Sequence, residues 1–205
     1  MSRAICSTCE RAVQNCLCQW IHQRLPNQVA LGILQHPSEV SQVKGTAKIV
    51  QLSLQNCQTW VGETLDELPS LQQWLADESP VFLLYPKIEH QSEPFTEFTI
   101  AEIQQQFSLS QMKVLVLDGT WRKTHKMMQL NSALRGLNRV VLTPSQPSNY
   151  HIRKQKNAMS LSTVEAIYEL YSQLESNSEQ YQPLLKTFEA MQAHQQTFLP
   201  PSILK

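Results

Sequence analysis

Short apolar runs of strand length, three of them closed by a Pro or an Asp-Gly turn, constrain the fold of this chain more than any other feature. Val29 to Leu34, Val81 to Tyr85 before Pro86, and Lys113 to Leu117 before Asp118-Gly119 all have strand length. A fourth run, Arg139 to Leu142, stops at Pro144. Runs without polar alternation suit strands covered on both sides, as in a parallel sheet. Between them the apolar spacing turns helical, as at positions 43, 47, 50 and 54 of Val43 to Leu54. Thr99 with Glu102 predicts a capping box that opens a helix from Ile100 to Phe107. Trp121 to Leu134 reads as a helix. Ser162 or Thr163 with Glu165 opens another to about Leu174, and a last one runs from about Gln182 to Gln196. This alternation predicts an α/β fold, a mostly parallel sheet with helices on both faces. Ligands of such sheets bind beyond the carboxyl ends of the strands. Tyr85-Pro86, Asp118-Gly119 and Thr143-Pro144 each begin at such an end, so three separate motifs point to one rim.

The 205 residues suffice for one main domain and a small appendage. Residues 1–24 form a Cys-rich segment, Leu25-Pro26-Asn27 reads as a linker, and the main domain spans 27–199. Cys6, Cys9, Cys16 and Cys18 place four thiols within thirteen residues. Four thiolates suit a closed, structural zinc site, and a segment this short cannot build a core of its own. Reduced, unliganded cysteines are the alternative, and His22 could replace one ligand; Cys57, far away, reads as core. The first residues lack the apolar stretch of a signal peptide, and no run is long enough to span a membrane. A reducing cytoplasm without disulfides is expected. The five glycines are too dispersed for a dinucleotide or phosphate-loop fingerprint.

Net charge is zero, yet the charge is unevenly placed. From Lys113 to Lys156 there are nine Lys or Arg and a single acid, Asp118. A concentrated cationic tract predicts a polyanionic partner. A lone carboxylate inside it repels phosphate, and chemistry is a physical reason to keep it there.

Asp118-Gly119-Thr120-Trp121 after a strand, followed by Arg122-Lys123-Thr124-His125-Lys126-Met127, resembles the signature of the DTW-domain tRNA-uridine aminocarboxypropyltransferases. Other matches follow the family's order. They are the Cys-rich start, His36-Pro37-Ser38-Glu39 with Thr46-Ala47-Lys48, Leu84-Tyr85-Pro86, Tyr150-His151-Ile152-Arg153 and Leu161-Ser162-Thr163-Val164-Glu165-Ala166. Gly45 stands where relatives commonly have Asn. The resemblance implies a SPOUT-like fold with a knotted carboxyl-terminal part. It also implies transfer of the 3-amino-3-carboxypropyl group of S-adenosylmethionine to N3 of a tRNA uridine, in the variable loop, with release of methylthioadenosine. The rival readings are a methyltransferase on a similar fold and a non-catalytic RNA-binding zinc protein.

N3 of uracil is a poor nucleophile while it holds its proton. An unperturbed aspartate lies about five pKa units below such an imide, a gap of about 7 kcal/mol. Burial of the acid and cations near the uracil oxygens would narrow that gap. Asp118 is the candidate base; alternatively it orients N3–H, grips the donor's ammonium, or caps the helix from Trp121. Thr120 is a donor to a uracil oxygen or a helix cap. Trp121 is a stacking platform for a base or a core residue. Arg122, Lys123, Lys126, Arg153, Lys154 and Lys156 are candidate tRNA contacts or a solvated face. Tyr85, Pro86, Leu117, Gly119, Leu142, Thr143, Ser162, Thr163 and Glu165 are the candidates for binding S-adenosylmethionine. Glu165 is equally explained as a cap. His36-Pro37-Ser38-Glu39 and Thr46 close over the substrate or serve a loop turn, and Met127-Met128 read as core.

Overall fold

The computed structural model describes residues 4–86, 94–145, 147–149 and 161–198. Six strands form one sheet: β1 Ala30–Gln35, β2 Cys57–Val61, β3 Val81–Leu84, β4 Glu97–Thr99, β5 Lys113–Asp118 and β6 Asn138–Val141. Their order is β2-β1-β5-β3-β6-β4, and every neighbouring pair is parallel. All six residues of β5 are buried, which is what its uninterrupted apolar run requires of an interior strand.

Successive side chains of a strand point to opposite faces, and β5 shows both faces filled. Val114 and Val116 join one cluster, with α1 Ala47–Ser53, α3 Ile100–Gln106, α6 Thr163–Leu174 and α7 Ser178–Gln196 packed over it. Leu115 and Leu117 join the other, covered by α2 Pro69–Ala76, α4 Trp121–Leu130 and α5 Ser132–Arg135. Gly32 of β1 lets α2 approach, since a Cβ there would lie 2.8 Å from the ring of Trp74. The expected α/β sheet with helices on both faces is the observed architecture.

Details depart from the sequence reading for local reasons. β2, α2 and β4 were not anticipated. The helix expected over 43–54 is shortened to α1, because 43–46 form turns. The helix expected from Trp121 to Leu134 is broken at Asn131. That side chain donates to the carbonyls of Met127 and Glu63, and accepts from the amide of Leu65. α7 begins a turn early, where Asn177 accepts the Gln180 amide at 3.1 Å. The capping boxes at Thr99 and Ser162 are both formed. Residues 150–160, between β6 and α6, lie outside the described residues, and the threading of the carboxyl-terminal part with them. Among the described residues no helix is long and apolar enough to cross a membrane.

Candidate active site

Parallel register brings the strand ends to one rim. Gln35 and Asp118, the last residues of β1 and β5, are direct partners, and Leu84 pairs with Val116 one strand further along. Asp118 is 7% exposed. Its Oδ2 accepts from Nε2 of Gln35 at 2.7 Å, and its Oδ1 accepts from the hydroxyl of Thr163 at 2.6 Å. Its carbonyl accepts the His36 amide at 2.9 Å. Two neutral donors aimed at the two oxygens complement the ionised carboxylate. Thr120 is the N-cap residue of α4, yet its side chain makes no cap bond there. Thr163 opens α6, and the amide of Val164 beside it donates to Thr46. This rim is thus tied to α6 on one side and to the 37–46 loop on the other.

Next to Asp118 lies a cavity of about 600 Å³, within the range of small-molecule sites. Of the residues singled out in the sequence, Tyr85, Pro86, Leu117, Gly119, Trp121, Leu142 and Thr163 line it. Asp118, Thr120, Thr143, Ser162 and Glu165 do not; Asp118 reaches the wall through Thr163. Trp121 is 50% exposed despite its place in a first turn, and its ring meets that of Tyr85 edge-on at 5.9 Å. An indole open to solvent over a cavity is a stacking surface. Burial raises the Tyr85 phenol above its ordinary value, so it stays a neutral hydroxyl, 3.3 Å from that of Thr124.

Glu165 is 6% exposed and is fully engaged in holding loops. Its carboxylate accepts from the amide and hydroxyl of Ser162, from the hydroxyl of Ser148 and from the amide of Asn149. It shapes the loop that carries Thr163 and stands back from the cavity. His36 accepts from the amide and hydroxyl of Ser38 at Nδ1, which leaves Nε2 to face Glu63 at 2.6 Å. Glu63 also takes Lys126, whose ammonium is the main reason its carboxyl lies below the usual range. Lys123 pairs with the buried Glu39 at 2.6 Å. Lys113 pairs with Asp77 at 2.6 Å, and Arg135 and Arg139 donate to backbone carbonyls. Of the basic tract, then, Arg122 is exposed and unpaired among the described residues. Arg153, Lys154 and Lys156 lie outside them.

Sequence reasoning missed Gln35 and Glu63, and gave Thr124 no role beyond its place in the motif after Trp121. Gln35 carried a signal, being a polar residue closing an otherwise apolar run, as Asp118 does. Glu63 carried none.

Cys6, Cys9, Cys16 and Cys18 bring their sulfurs within 4.8 Å of one another. Two of these separations are 3.9 Å (Cys6 to Cys18) and 3.7 Å (Cys9 to Cys16). A tetrahedral zinc with bonds of about 2.3 Å needs sulfurs about 3.8 Å apart, so this set fits that ion. Backbone amides of Cys9 and Thr8 lower the Cys6 thiol to about 6. Burial pushes Cys18 up to about 12, which leaves that thiolate dependent on a cation. The segment is bound to the main body: Cys9 and Leu17 belong to the larger core cluster. Arg11 donates to the Gly45 carbonyl at 2.6 Å, and Trp20 meets His194 of α7 edge-on at 5.4 Å.

A tRNA-uridine aminocarboxypropyltransferase 2 of Macaca fascicularis is 29% identical over 194 residues, covering 92% of this chain and 62% of that protein. The Mus musculus protein of the same name gives the same figures. That of Drosophila melanogaster is 27% identical over 203 residues, covering 93% of this chain and 74% of its own length. The chain thus spans less than two thirds of the two mammalian relatives. No solved structure matches. The DTW-domain model matches residues 3–196, nearly the whole chain, and the protein belongs to the DTW-domain family.

Proposed function

We propose that this protein transfers the 3-amino-3-carboxypropyl group of S-adenosylmethionine to N3 of a uridine in the variable loop of tRNA, releasing methylthioadenosine. The observation that carries the reading is the buried Asp118 carboxylate, held by Gln35 and Thr163 against a cavity with an open tryptophan at its wall. The names of the relatives support the coarser part of this reading, aminocarboxypropyl transfer to a tRNA uridine. S-adenosylmethionine supplies the electrophile, the side-chain carbon on a sulfonium.

Asp118 takes the N3 proton, and the N3 electron pair forms the new N–C bond. The C–S bond breaks, and its electrons neutralise sulfur in the departing thioether. Trp121 stacks on the uracil, Thr120 donates to a uracil oxygen, and the apolar walls from Leu117 and Leu142 take the donor's adenosine. The carboxylate's two donors hold it aimed, so orientation of N3–H counts as much as basicity. Zinc held by Cys6, Cys9, Cys16 and Cys18 is structural; the closed four-thiolate set leaves no position for substrate. A reducing cytoplasm suits those thiolates. In this reading residues 1–24 form the zinc segment and 27–199 the catalytic domain.

Incubation of unmodified tRNA with labelled S-adenosylmethionine, followed by nucleoside mass analysis, tests the reaction. An amino-acid adduct on uridine is expected; a methyl adduct would instead establish the methyltransferase. Asp118→Ala is expected to fold and bind tRNA while making no product; appreciable turnover in that variant removes Asp118 from the mechanism.

A further inference from the structure

Gln35 is an amide in a strand otherwise buried among apolar side chains, and it is itself only 9% exposed. Burying an amide is costly unless it is bonded. Its Nε2 finds the Oδ2 of Asp118 at 2.7 Å, across the last register pair of β1 and β5. Thr163 binds the other oxygen at 2.6 Å from a different element, the first turn of α6. A carboxylate pinned at both oxygens cannot rotate about its Cβ–Cγ bond. The parallel register fixes one pin and the α6 capping box fixes the other, through Ser162 and Glu165.

We propose that Gln35 is a positioning residue for the reaction, setting the plane of the Asp118 carboxylate that receives the uridine proton. Gln35 does not line the cavity; it touches the proton acceptor from behind, and neither substrate. Its effect runs through Asp118 alone, so the inference rests on the function proposed above. A misaligned acceptor still sits in the site, but proton transfer from N3 loses its geometry.

The test uses the full chain, with turnover read by nucleoside analysis on tRNA. Gln35→Met removes the donor at similar volume. It is expected to lower kcat about 10- to 100-fold, while KM for S-adenosylmethionine and tRNA stays within about threefold. Gln35→Glu keeps the shape and replaces the amide by a second carboxyl group. Two carboxylates at hydrogen-bond distance cannot both ionise readily. As pH falls from about 8 to about 6, the shared proton restores a donor to Asp118. Activity of this variant relative to wild type is therefore expected to rise on acidification. A structural role for Gln35 would move stability but not this ratio.

A Gln35→Met kcat within about twofold of wild type, or a pH-independent Gln35→Glu ratio, overturns the proposal. If Gln35→Met fails to fold, the isosteric Gln35→Glu decides alone. Asp118→Asn separates the two levels of failure. Full turnover in Asp118→Asn sinks the reading of Asp118 itself. An inactive Asp118→Asn beside a normal Gln35→Met sinks only the positioning role.

Discussion

Trp121 and Met127 share one short helix and have opposite fates. Trp121 is 50% exposed, whereas Met127 is fully buried in the cluster with Leu115 and Leu117. Truncating Trp121 to Ala removes an edge contact with Tyr85 and little else, so thermal unfolding should report a loss below about 1 kcal/mol. Filter binding with unmodified tRNA should weaken by about 1–3 kcal/mol if the indole stacks on a base. Met127→Ala should do the reverse, costing about 2–5 kcal/mol of stability. The sequence alone left Trp121 between core and site, because a first-turn residue can face either way. What decides is the position of Tyr85, 36 residues earlier in the chain. Asp118 was legible for a plainer reason: a charge closing an apolar run cannot be core without partners. Those partners, Gln35 and Thr163, come from register and capping across the fold, which no local pattern displays.

At the scale of elements, α4 shows how a charge count misleads. Its cations Lys123 and Lys126 are already matched by Glu39 and Glu63, which the sequence places 60 and more residues away. Before either lysine meets a phosphate, an ion pair must open. Glu63→Gln should therefore steepen the dependence of log Kobs on log salt for tRNA by about one, and Arg122→Ala should flatten it by about one. A slope unchanged in both variants would take α4 out of the tRNA interface. The long interior strands were readable because burial on both faces leaves no polar alternation. β2 and β4 were not, since they are the outermost strands, half covered and with polar residues such as Gln58, Thr59 and Glu97. The break at Asn131 likewise answers a tertiary demand, the docking of the Glu63–Leu65 backbone onto its amide. α6 was readable from its capping box; Ser162→Ala should cost about 1 kcal/mol in thermal unfolding and loosen Thr163.

For the molecule as a whole, the Cys segment is part of the core. Cys9 is 1% exposed within the core cluster shared with α1 and α7, and Arg11 and Trp20 fasten the segment to Gly45 and His194. Cys9→Ser should lower zinc content by elemental analysis and lower the melting temperature; full zinc retention would refute Cys9 as a ligand. The strand order carries another consequence, for the ribosome. β1 is made early, but its inner neighbour β5 is encoded some 80 residues later, and β3 reaches β1 only through β5. At about 5–20 residues per second, β1 waits roughly 4–16 seconds with an apolar edge uncovered. Such a nascent chain folds late and slowly, and during that wait it invites holdase chaperones.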